Sequence, residues 1–156
     1  MIEVLLKEMS DGKGDLAVIV AGYPKEMNTF IDSNPGLKSR FSDYFHFEDY
    51  MPDELFQIAL YAADQKQLMI AEDAKFYLQE QLTDAYRKRD NSFGNARFVN
   101  AVIEEAKQDM GIRLMKSTNM DSLTKEDLST LTLADLKNVF VSNEKKKLKL
   151  SVNEKE

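Results

Sequence analysis

The chain has 156 residues, 43% of them apolar, which suits one ordinary domain or two small halves and excludes a wholly disordered protein. Its 21 Lys+Arg against 27 Asp+Glu give a formal charge of -6, without the basic footprint of a protein that lives on nucleic acid or anionic lipid. The absence of cysteine removes thiol nucleophiles, disulfides and zinc fingers together and suits a reducing cytoplasm, while a single histidine, His46, excludes a Ser/His/Asp relay elsewhere or a His-rich metal site. The opening MIEVLLKEMSDGKGD becomes charged too quickly for a signal peptide. No apolar run approaches the roughly 18 to 20 residues that span a bilayer, so a cytoplasmic protein without membrane or nucleic-acid partners is expected.

Ile2, Val4, Leu5, Leu6 and Met9 form a short helical face that the loop-forming Ser10-Asp11-Gly12-Lys13-Gly14-Asp15 ends. Leu16 to Ala21 is an unbroken apolar run rich in β-branched residues, which predicts a central strand buried on both faces of a parallel sheet. Gly22-Tyr23-Pro24 then turns into a helix carrying Met27, Phe30 and Ile31, which should stop at Asp32-Ser33-Asn34-Pro35-Gly36. A short piece, Leu37 to Phe41, follows, and Tyr44-Phe45-His46-Phe47 predicts a brief second strand in which His46 is an ordinary strand residue.

From Pro52 the period is helical. Pro52-Asp53-Glu54 starts a helix with the stripe Leu55, Ile58, Ala59, Ala62 and Ala63. A second begins near Glu72-Asp73 with Ala74, Tyr77, Leu78, Leu82 and Ala85. A third follows Gly94 with Val99, Val102, Ile103, Ala106 and Met110, and together the three predict a small bundle. Beyond Met115 the apolar residues are sparse, and the expectation is a mostly flexible extension over 116–156, with one short helix over 133–139 capped by Thr132 and a mobile end from Ser142.

Gly12-Lys13-Gly14 does not match the phosphate loop G-x-x-x-x-G-K-[ST] and precedes its strand instead of following it, so a solvated turn is the better reading. The run Leu16 to Pro24, then Ser33-Asn34-Pro35-Gly36-Leu37-Lys38-Ser39-Arg40-Phe41, Phe47-Glu48-Asp49-Tyr50 and Phe93-Gly94-Asn95-Ala96-Arg97, taken in this order, closely resembles the AAA+ ATPases related to stage V sporulation protein K, red-type Rubisco activase and the type VII secretion ATPases. The resemblance covers about residues 1 to 115. It implies an α/β plus all-α fold: residues 1–50 as the carboxyl-terminal portion of a parallel-sheet P-loop subdomain, and 51–115 as a helical lid. It also implies that the Walker A and Walker B motifs lie outside these residues, that ATP and Mg2+ serve the full-length protein in a homo-oligomeric ring, a hexamer, acting on a protein substrate, and that the isolated chain is inactive.

Residue by residue, the resemblance makes Arg40 the arginine finger that reaches a neighbouring subunit's γ-phosphate, with Lys38 a lesser cation nearby. Local sequence alone leaves open an ion pair of Arg40 with Asp43. The resemblance makes Arg97 the sensor-2 arginine beside Gly94 and Asn95. On a helical wheel Arg97 lies about 200° from the apolar stripe, so it points away from the bundle interior. Tyr23, or Gly22 in the alternative register, falls at the sensor-1 position, where a phenol would have to orient water; Asn34 and Asn95 read as backbone caps. A second reading is a non-catalytic half-module that docks onto an intact ring. An unpaired strand in half a sheet predicts a dimer or swapped arrangement in isolation.

Overall fold

The computed structural model describes residues 2–11, 16–91, 93–116 and 123–141, and the chain divides into two compact units, Met1–Phe47 and Glu48–Glu156.

Among its described residues the first unit holds three helices, α1 (Ile2–Asp11), α2 (Pro24–Asp32) and α3 (Pro35–Arg40). α1 stops at Asp11, where the sequence turns polar; the turn expected at 12–15 lies outside the described residues. Pro24 opens α2, and Pro35 opens α3 only two residues after α2 ends, because Asn34 caps it by accepting the Gly36 N–H at 2.8 Å. Ile31 and Leu37 are its buried apolar residues among those described.

Two expectations for this unit are not met. Leu16–Ala21 forms no strand, and neither does 44–47. Both stretches have strand-like composition, yet a strand exists only through its ladder, and among the described residues neither finds a pairing partner. Ile19, Phe45 and Phe47 stay in solvent, 92%, 83% and 88% exposed, while Val18 and Val20 are half-buried.

The second unit is a bundle of α4 (Pro52–Asp64), α5 (Glu72–Arg87) and α6 (Ala96–Met115), as the period-3.6 stripes predict. Pro52 occupies the first turn of α4, and the Glu54 carboxylate accepts the Met51 N–H at 2.8 Å, half of a capping box. Leu55, Ala59, Ala62 and Ala63 of α4 face Ala74, Leu78 and Leu82 of α5 and Val99, Val102, Ile103, Ala106 and Met110 of α6. The three alanines bring small side chains to the face where α4 meets both neighbours. Just past α4, Gln67 takes a φ of 56°, the Leu68 N–H reaches back to Ala63 O at 2.9 Å, and buried Leu68 leads directly into β1.

The bundle does not close at Met115. β1 (Met69–Ile70) pairs in parallel with β2 (Thr130–Leu131), and residues 133–141 are helical. Leu131, Leu136 and Val139 from this stretch are buried in the same core as α4–α6, so the extension expected over 116–156 contributes to the bundle through 141. The physical reason is that burial of three aliphatic side chains, worth roughly 1.5 to 3 kcal/mol each, offsets the ordering of a short segment. The mobile end expected from Ser142 lies outside the described residues. Thr132 stands at the start of this helix, where its carbonyl accepts the Leu136 N–H at 3.3 Å, but among the described residues its side chain accepts no helix N–H: its own N–H and hydroxyl both donate to Asp135 Oδ2, at 2.9 and 2.8 Å.

Thr130 Oγ1 is buried in this join with no hydrogen-bond partner among the described residues. Replacing an unsatisfied buried hydroxyl by a methyl of similar shape removes its desolvation cost, so Thr130→Val should raise stability by about 1 kcal/mol. A urea midpoint that falls instead would mean that the hydroxyl is satisfied in solution.

Candidate functional site

In the first unit Arg40 is the last residue of α3 and is exposed. Its Nε donates to Ser10 Oγ at 3.1 Å, and Nη2 donates to the same oxygen. Nη1 donates to Gly36 O at 3.2 Å and makes a long 3.5 Å contact to Ser39 Oγ. The Ser10 hydroxyl donates in turn to Leu6 O at 2.8 Å. Every partner is neutral: among the described residues no carboxylate pairs with Arg40, and Asp43 Oδ2 accepts the Ser42 hydroxyl at 2.8 Å instead. The guanidinium lines an open pocket of about 270 Å³ together with Glu8, Met9, Val18 and Asp43. Lys38 lies 3.7 Å from Asp32 in an exposed ion pair, which leaves it less available than Arg40.

Tyr23 shares this unit, immediately before α2, and is 58% exposed; its hydroxyl has no partner among the described residues. Gly22 has a packing role, since a Cβ there would come within 3.0 Å of Met27 Sδ.

In the second unit the segment Gly94-Asn95-Ala96-Arg97 forms a tight turn into α6, closed by Arg97 N–H to Gly94 O at 2.8 Å. Asn95 takes φ 47 and ψ -122 degrees, a conformation that L-residues rarely adopt. Its side chain does not cap α6. Oδ1 accepts the Tyr50 N–H at 3.0 Å and Nδ2 donates to Asp49 Oδ1 at 2.6 Å, which ties the segment ahead of α4 to the first turn of α6. Asp49 Oδ2 accepts from Arg89 Nε at 3.1 Å, and the Arg89 guanidinium lies over the Tyr86 ring at 3.6 Å. This Asp49–Asn95–Arg89 cluster is not apparent from sequence, because Asp49 lies 40 residues from Arg89 and 46 from Asn95; the local signal is the Gly-Asn pair at a helix start. At Gly94 a Cβ would meet Phe98 N at 3.3 Å, a tight fit that favours glycine.

Arg97 is the second residue of α6, exposed, on the side opposite buried Val99, Val102, Ile103 and Ala106. Among the described residues its guanidinium has no hydrogen-bond or ion-pair partner. A free guanidinium on the first turn of a 20-residue helix adds permanent charge to the positive end of the dipole, an arrangement suited to phosphoryl oxygens. The structure thus brings Gly94, Asn95 and Arg97 together in one unit and Tyr23 and Arg40 in the other. Among the described residues no group of three His, Cys, Asp or Glu is arranged to hold a metal ion, and no helix is long and apolar enough to cross a membrane.

Comparison with known proteins adds the family. A CfxQ homolog of Galdieria sulphuraria is 36% identical over 135 residues, 86% of this chain and 43% of that protein. Stage V sporulation protein K of Bacillus subtilis (strain 168) is 35% identical over 136 residues, 86% of this chain and 41% of that protein. Protein CbbX of Cereibacter sphaeroides is 32% identical over 136 residues, 87% of this chain and 43% of that protein. The chain therefore spans less than half the length of these relatives. The family described as the AAA lid domain matches residues 51–147, which takes in α4 to α6, β2 and the helical residues 133–141. With a family match over more than half its length, and with relatives of the sporulation protein K and CbbX type over most of it, this chain belongs to the AAA+ proteins that carry this lid domain.

Proposed function

We propose that this chain supplies the arginine finger, the sensor-2 arginine and the lid of a ring-forming, ATP-driven protein remodeller. Residues 1–50 would be part of its P-loop subdomain, with the Walker motifs outside these 156 residues and with Tyr23 at the sensor-1 position. Arg40 acts on the triphosphate of the neighbouring subunit; Arg97, beside Gly94 and Asn95, acts on that of its own. The ring is a hexamer and its substrate a protein. ATP with Mg2+ supplies the phosphoryl group and the energy of its transfer. The chain's own contribution is positive charge placed where phosphoryl oxygens gain charge, and its described residues offer no ligand set for the cation.

The single observation that carries this reading is that both guanidiniums are exposed and free of carboxylates among the described residues, each at a helix end within an AAA+ chain. Arg113 and Arg89 end in ion pairs, while Arg87 closes α5 exposed and without a partner among the described residues, so the sequence motifs around Arg40 and Arg97 are what set those two apart. The purified chain should show no Mg2+-dependent ATP turnover above buffer, because charge without a phosphate cradle does not position the nucleophile. Turnover by these 156 residues that Arg97→Ala abolishes would overturn the division of labour.

A further inference from the structure

We infer that Ser10, at the end of α1, is a positioning residue that presents Arg40 with its end-on fork free for a phosphate. The inference rests on Arg40 acting as the arginine finger. A guanidinium has five N–H donors: one on Nε and two on each terminal nitrogen. Ser10 Oγ takes Nε–H and one N–H of Nη2, and Gly36 O takes one N–H of Nη1. This leaves one N–H on Nη2 unused and the second N–H of Nη1 held only by the long 3.5 Å contact to Ser39 Oγ, which a phosphoryl oxygen would displace to engage the two in parallel.

The hydroxyl is equally well used. Its two lone pairs accept from Arg40 and its proton goes to Leu6 O, so Ser10 is fixed on α1 while it steers a side chain 30 residues away. A carboxylate in its place would neutralise the finger. A hydroxyl orients the guanidinium and leaves its charge unspent. The sequence offers no sign of this partnership, since Ser10 reads there only as a helix-ending residue.

The test is steady-state ATP hydrolysis by the full-length protein carrying Ser10→Ala, Ser10→Thr, Arg40→Ala or Ser10→Ala with Arg40→Ala. Alanine is the better helix former at this exposed helical position, so Ser10→Ala should leave α1 intact; Ser10→Cys, read in the same way, covers a failure to assemble. Ser10→Ala should lower kcat roughly tenfold with KM for ATP unchanged, because a finger acting in trans serves the transition state and not substrate binding. Ser10→Thr, which keeps the hydroxyl, should restore kcat, and Ser10→Ala should add nothing once Arg40 is gone. An unchanged kcat in Ser10→Ala beside an inactive Arg40→Ala would overturn the role of Ser10 alone. Full activity in Arg40→Ala would overturn the finger reading and this inference with it.

Discussion

Arg113→Met should destabilise the lid unit by about 3 to 5 kcal/mol, the usual cost of leaving one partner of a buried ion pair uncompensated. The Arg113 Nε and Nη2 donate to the two carboxylate oxygens of Asp135 at 2.9 and 3.0 Å, and Nη2 also reaches Thr130 O at 3.2 Å. Asp135 is 1% exposed, whereas the Arg113 side chain is 35% exposed. The two deletions are therefore unequal. Asp135→Ala leaves a guanidinium that water can reach and should cost less than Arg113→Met, which strands a carboxylate in the core. Arg113→Lys should restore only part of the loss, because an ammonium cannot reproduce the two-pronged contact.

Burial pushes the Asp135 carboxyl up, but the Arg113 guanidinium together with the Thr132 N–H and hydroxyl outweighs it and holds the group below its ordinary value. A depressed folded-state pKa gives stability that is fully present above the unfolded carboxylate range and is lost as pH falls through the folded value. The wild-type lid should therefore hold its urea midpoint down to the ordinary carboxylate range and lose stability below it. In Arg113→Met the same carboxyl keeps the burial and loses its strongest counterweight, so its folded-state pKa rises and the stability deficit against wild type should narrow as pH falls and the stranded charge is protonated. Urea denaturation followed by circular dichroism between neutral and acidic pH checks both statements. A midpoint in Arg113→Met equal to wild type would mean that residues 130–141 do not close the core.

The second large effect concerns the arginines. In the proposed full-length ring, Arg40→Ala should lower kcat for ATP hydrolysis by about 10³ or more, the range found for arginine fingers, with little change in KM. Arg97→Ala should lower activity through ATP binding as well, since its guanidinium is assigned to the nucleotide of its own subunit. Both substitutions fall on exposed side chains outside the buried core, so thermal stability should stay within about 0.5 kcal/mol of wild type. That separation of activity from stability distinguishes them from the Arg113 series.

The lid helices α4 to α6 could be read from the sequence because their apolar stripes are local and long, and because Pro52, Glu54 and Gly94 mark their starts. The break between α2 and α3 was equally readable from Asn34-Pro35. β1 and β2 were not, since two residues each are too few to show an alternation and their partners lie some sixty residues apart. Leu131, Leu136 and Val139 look sparse along the chain and become a face only when β2 leads into the following helix. A usable signal was present: Thr124 with Asp127 and Thr132 with Asp135 repeat Thr-x-x-Asp, a capping pattern that the structure uses twice. At Leu16–Ala21 the reverse happened, because strand-like composition cannot report that no partner strand lies alongside among the described residues. The candidate arginines could be placed by motif, but Ser10 on Arg40 and Asp49 on Asn95 are tertiary contacts that no local pattern encodes.

The central claim is that Arg40 and Arg97 complete one ATP site from two adjacent subunits. Mixing full-length Arg40→Ala protein with full-length Arg97→Ala protein tests it most directly, because each parent lacks one half of every site. In a mixed ring, a subunit with Arg97 intact can sit beside one with Arg40 intact. Random mixing makes one interface in four whole, so hydrolysis should recover to roughly a quarter of wild type in a cyclic, head-to-tail assembly. A mixture no more active than its parents would contradict the account.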